Sequence, residues 1–153
     1  MREYKIRYKY VERKNIKGGT MEKKSKEISV LWQLTRKYLE LSSSDMEITA
    51  DADIVGKSGK VRKFDFLVGE MIDAYSLEEG FGVVVKDWKT SCNTREIKKG
   101  ARKLHDCPEI KALLIVSNNF SEKAQNLAQR KGVRIITKED MVKKVQDYLK
   151  TDK

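Results

Sequence analysis

The chain has 153 residues, of which 39% are hydrophobic and 37% charged; that is apolar enough for one domain with a real core and too apolar for a disordered chain. Lysine and arginine number 33 against 23 acids, a formal net charge of +10, which favours phosphate backbones or anionic surfaces as partners. No apolar run approaches the ~20 residues of a membrane helix, the opening MREYKIRYKY lacks an apolar signal core, and two cysteines with one histidine argue against a disulfide framework or a structural zinc site, so a cytoplasmic protein with no membrane association is expected.

The first 26 residues hold ten basic side chains and three acids, a net of +7. Within them Tyr4, Ile6, Tyr8 and Tyr10 alternate with Lys5, Arg7 and Lys9, and Gly18-Gly19 closes the segment. This alternation predicts a basic strand over residues 1–19, an extension to a domain over 20–153. A helix is expected over 20–41, capped by Thr20 or Ser25, with Glu27, Leu31, Leu34, Tyr38 and Leu41 along one stripe. Ser42-Ser43-Ser44 ends it.

Two antiparallel strands follow over 46–55 and 61–68, joined by the turn Gly56-Lys57-Ser58-Gly59. A phosphate-loop reading of that turn fails, because the required glycine is Asp51. Residues 82–88 form a third, central strand, since Val83-Val84-Val85 is continuously β-branched. Helix and strand then alternate: a basic helix over 94–104, a buried strand over 112–117, a helix over 121–131 capped by Ser121 and ended by Gly132, a strand over 133–137 and a closing helix over 138–149. His105-Asp106-Cys107, beside Pro108, reads as a surface loop.

From Asp45 to Glu79 the charge balance inverts, with nine acids against Lys57, Lys60, Arg62 and Lys63. The informative group is Phe64-Asp65-Phe66-Leu67-Val68 followed some twenty residues later by Val83-Val84-Val85-Lys86-Asp87-Trp88-Lys89. An acid between apolar residues on one strand, and an acid with two lysines ending the next, suit phosphodiester hydrolysis: carboxylates hold Mg²⁺, the ion activates water, and a lysine orients that water or neutralises developing charge. The alternative is an Asp65 facing solvent with ordinary strand-end charges.

These residues resemble the restriction-endonuclease-like PD-(D/E)XK nucleases, in particular the archaeal and bacterial restriction-type or Holliday-junction-resolvase-like branch. The resemblance spans roughly residues 20–145 and covers the element order and the tail from Leu114-Ile115-Val116-Ser117 through Phe120-Ser121-Glu122-Lys123-Ala124 to Gly132-Val133-Arg134-Ile135-Ile136. It implies an α/β domain with a central mixed sheet flanked by helices. It also implies Asp65 as metal-binding aspartate and Glu27 as an accessory acid from the first helix. Two registers remain for the acid-x-Lys step: Asp87-Trp88-Lys89 supplies both residue types, whereas aligning Trp88-Lys89-Thr90 with the family's following residues makes Lys86 the catalytic lysine and puts Val84 where the carboxylate belongs.

The function these features imply is a Mg²⁺-dependent DNA endonuclease of restriction or recombination and repair type, with Mn²⁺ as substitute. Asp65, Asp87 and Glu27 are the expected metal ligands, and Lys86 or Lys89 the catalytic lysine. A degenerate nuclease fold that binds DNA without cutting is the alternative, and a basic RNA-associated protein the second. Duplex or branched DNA would lie against Lys5, Arg7 and Lys9 and against Arg95, Lys98, Lys99 and Arg102, and a homodimer is compatible with cutting both strands.

Overall fold

The computed structural model describes residues 29–71 and 77–151. The expected basic strand, with Lys5, Arg7 and Lys9, and the first-helix residue Glu27 lie outside them. Among the described residues nine elements follow in chain order: α1 (Val30–Ser42), β1 (Glu47–Val55), β2 (Val61–Met71), β3 (Leu77–Lys86), α2 (Thr94–Asp106), β4 (Ile110–Ser117), α3 (Glu122–Lys131), β5 (Arg134–Thr137) and α4 (Lys138–Thr151). The sheet runs in the order β1-β2-β3-β4-β5. Pairing is antiparallel from β1 to β3 and parallel from β3 to β5, so the expected mixed sheet is present with β3 at its centre.

Helices cover both faces. On one, Ile97 of α2 and Ala124, Leu127 and Ala128 of α3 pack on Ala52, Phe64, Val84, Leu113 and Ile115. On the other, Leu31 and Leu39 of α1 and Met141 and Val145 of α4 pack on Phe66, Val68, Val83 and Val116. The parallel half needs apolar residues on both faces, and the runs Val83-Val84-Val85 and Leu113-Leu114-Ile115-Val116 supply them.

Local chemistry fixes the ends of these elements. Ser29 caps α1 by accepting the Trp32 N–H at 3.0 Å. Ser121 caps α3 by accepting from Ala124, and Gly132 ends it at φ 72°, a left-handed position that favours glycine. Strand β3 begins five residues before the expected 82 and stops two before 88. Its glycine-interrupted start pairs with β2 and β4 regardless of propensity, and beyond Lys86 the Trp88 N–H turns back onto the Lys86 carbonyl.

His105, Asp106 and Cys107 are not a surface loop, which corrects the sequence reading. His105 and Asp106 complete the last turn of α2, and Asp106 and Cys107 are buried. The Asp106 carboxylate accepts from the Ser58 N–H at 2.9 Å, the Ser58 hydroxyl at 2.8 Å and Arg62 Nε at 2.9 Å. These bonds fasten the β1–β2 turn to the helix. A side chain on Gly56 would put its Cβ 1.9 Å from Asp106 Oδ2, so the turn approaches only because residue 56 is glycine.

Candidate active site

Strands β1 and β2 change faces in mid-course. Ala50 and Phe66 pack on the α1/α4 side while Ala52 and Phe64 pack on the α2/α3 side, although residues two apart in a regular strand share a face. The cause lies between them: Asp51 has φ 59°, a left-handed conformation in mid-strand, which rotates the chain by one position. Asp65 is the residue between Phe64 and Phe66 on the paired strand, so it sits where β2 turns over.

The β2–β3 ladder ends at the same point. Its last pair is Phe66↔Val83, so neither Asp65 nor Val85 belongs to it. The Val85 N–H is donated to Asp65 Oδ2 at 2.6 Å. Burial pushes the Asp65 carboxyl above the usual carboxylate range; the Val85 N–H and the Lys103 and Lys86 ammonium groups pull it down, and Asp51 pushes it up.

Alternation along β3 sorts the next residues. Val84 lies in the α2/α3 core and Val83 in the α1/α4 core, so Lys86 follows Val84 to the α2 side. There its ammonium meets Glu96 of α2 at 3.5 Å; the Glu96 side chain is only 7% exposed. Lys99 approaches the other Glu96 oxygen at 4.0 Å, and Lys86 also lies 5.3 Å from the Trp88 ring centre. Lys103, two turns further along α2, donates to the Lys63 carbonyl and stands over the Phe64 ring. Burial, then the like charge of Lys86, pushes its amine down to about 8, against the pull of Asp65.

Asp65 and Lys86 therefore come together. Asp87 turns the other way: its carboxylate accepts from the Asn118 amide at 2.9 Å, and that bond, with the Ser29 hydroxyl, the Leu31 N–H and Lys138, holds it below the usual carboxylate range. None of these groups is among those acting on Asp65. Lys89 is exposed in the loop after β3, and Arg95, Lys98, Lys99 and Arg102 are exposed on α2. Asp51 and Glu96, to which the sequence reading assigned no role, and Lys103 of the basic helix share the environment of Asp65 and Lys86.

The family model for restriction endonucleases of the Mrr catalytic-domain type matches residues 37–145, a span that includes Asp51, Asp65, Lys86, Glu96 and Lys103. The chain belongs to this restriction endonuclease family. A crystal structure of a protein of unknown function, AF1548, resembles it with a TM-score of 0.55 at 14% identity, over 70% of this chain and 57% of that one. That likeness concerns the fold, and the chain spans little more than half of that protein's length. No curated protein matches the sequence. The restriction-endonuclease fold agrees with the mixed sheet and with the element order expected from the sequence. Among the described residues no helix is long and apolar enough to cross a membrane.

Proposed function

We propose that this member of the restriction endonuclease family is a divalent-metal-dependent DNA endonuclease, of the restriction or the recombination and repair type, whose centre is Asp65 with Lys86. The observation that carries the reading is the break in the β2–β3 ladder, where a half-buried carboxylate with a raised pKa meets the field of a lysine fixed by a buried glutamate. Perturbed titratable groups brought together from separate elements are a frequent mark of functional sites.

The residues present fit Mg²⁺ or Mn²⁺. Asp65 and Asp51 offer hard carboxylate oxygens on paired strands, and their mutual repulsion is a reason for a cation between them. Mg²⁺ usually binds through one or two carboxylates together with phosphate oxygens and water. Once bound, such an ion polarises the phosphodiester and makes its water a better nucleophile. Asp65 would hold the ion, with its carboxylate fixed by the Val85 N–H. Lys86 would orient the attacking water or neutralise the charge growing on the phosphate. Val84 cannot supply the acid its position calls for; Glu96, arriving from α2, is the carboxylate beside Lys86 and keeps that ammonium in place. In this reading Lys86 rather than Lys89 is the catalytic lysine, and Asp87 serves the α1 end of the sheet. Arg95, Lys98, Lys99 and Arg102 would face the DNA.

Nicking of supercoiled plasmid in Mg²⁺ or Mn²⁺ tests this. Wild type should nick and stop on chelation, Lys86→Ala should lose about 10³-fold, and Lys89→Ala should stay near wild type. Inactivity of wild type with either ion on duplex, junction and single-stranded DNA would instead favour a fold that binds DNA without cutting it.

A further inference from the structure

Away from Asp65, an open cleft of about 460 Å³ lies on the outer side of α2, walled by Arg62, Lys98, Arg102, His105 and Lys131 together with Asp106. Four permanent cations thus face one carboxylate, and that carboxylate is already engaged by Ser58 and by Arg62 Nε. The Arg62 pairing fixes the plane of its guanidinium, whose terminal N–H groups remain further donors. Lys98, Arg102 and Lys131 are exposed and come from two different helices, so three chain segments converge on the cleft. With Asp106 spent on Arg62, Lys98, Arg102 and Lys131 gather in the cleft with no second carboxylate among its lining residues, which is unfavourable unless an anion completes the group.

The cleft is electrically joined to the candidate active site. Lys103 is held by the Lys63 carbonyl and the Phe64 ring, the two residues of β2 that separate Arg62 in the cleft from Asp65, and its ammonium feels Lys86, Asp65 and Arg62. The basic groups therefore run from Lys86 through Lys103 to Arg62 and into the cleft.

We propose that this cleft is a second phosphate-binding site, which holds the sugar-phosphate backbone of the DNA away from the bond that is cut, and that Lys103 bridges it to the cleavage site. The choice of DNA as the polyanion rests on the nuclease reading. The cleft positions the duplex without reading its sequence, as backbone contacts do.

The test is an anisotropy titration of a labelled duplex in EDTA over a series of salt concentrations, so that nothing is cut. Each phosphate neutralised contributes about 0.9 to the slope of log affinity against log salt. Arg102→Gln with Lys131→Gln should flatten that slope by about 1.8 and weaken unrelated duplexes alike. A slope equal to wild type in a variant that melts like wild type overturns the proposal. If that pair melts early, Lys98→Gln with Lys131→Gln is read by the same criterion. Asp65→Asn should keep the wild-type slope; if it also cleaves as wild type does, the nuclease reading fails while the cleft is still judged on the slopes.

Discussion

Two aspartates, Asp65 and Asp106, both touch the β1–β2 hairpin and have opposite electrostatic fates. Asp106 is saturated: two donors from Ser58 and one from Arg62 hold its carboxyl down to about 2. Asp65 accepts one main-chain N–H, and burial keeps its carboxyl high. A carboxylate whose oxygens are filled by its own chain is a fastener, and one that is buried with acceptor lone pairs to spare is suited to a cation that arrives with substrate.

The largest departure expected from this contrast is at the active end. Glu96→Gln removes the charge that fixes Lys86 and should lower metal-dependent cleavage by about 10²-fold, measured as initial nicking rate, with the fold retained by circular dichroism. At the fastened end, Asp106→Asn should lower the melting temperature by several degrees and speed hydrogen exchange at the turn. Because the folded carboxyl of Asp106 lies below its unfolded value of 3.8, its contribution is fully present above about pH 4 and fades as pH falls towards 2. The melting-temperature gap between wild type and Asp106→Asn should therefore be constant from pH 5 to 7 and close in acid. Gly56→Ala breaks the same latch from the other side, so its cost should not add to that of Asp106→Asn in a double-mutant cycle. The smallest effect concerns Lys103, which faces Lys86, Asp65, Arg62 and Cys107. Phosphates beside it raise its affinity for a proton, so calorimetry near pH 8 in buffers of different ionisation enthalpy should show up to about half a proton taken up on DNA binding, and none with Lys103→Met.

Much of the fold was readable because its signals are local: β-branched runs for the buried parallel strands, Ser121 and Gly132 for the ends of α3, and Gly56 to Gly59 for the turn. The site was readable where chemistry sat on a strand, as with Asp65 and Lys86. It was not readable where it depended on two elements meeting. Glu96 looks like an ordinary first-turn acid complementing a helix dipole, and nothing local says that it packs against Lys86. Asp106 gives no sign of Ser58, 48 residues away. The face change at Asp51 and Asp65 is invisible to a period-two reading, since a left-handed aspartate in mid-strand is a rare conformation that the surrounding sheet imposes.

The most direct test compares the melting of wild type and Asp65→Asn at pH 7, each in EDTA and in Mn²⁺. Asparagine can still accept the Val85 N–H while removing a buried charge. A carboxyl whose folded pKa is raised costs stability as pH rises above its unfolded value of 3.8, so Asp65→Asn should melt above wild type in EDTA. Wild type alone should then gain from Mn²⁺. An Asp65→Asn protein that melts below wild type in EDTA, or that gains as much from Mn²⁺, would contradict the assignment of Asp65 as the cation-binding carboxylate.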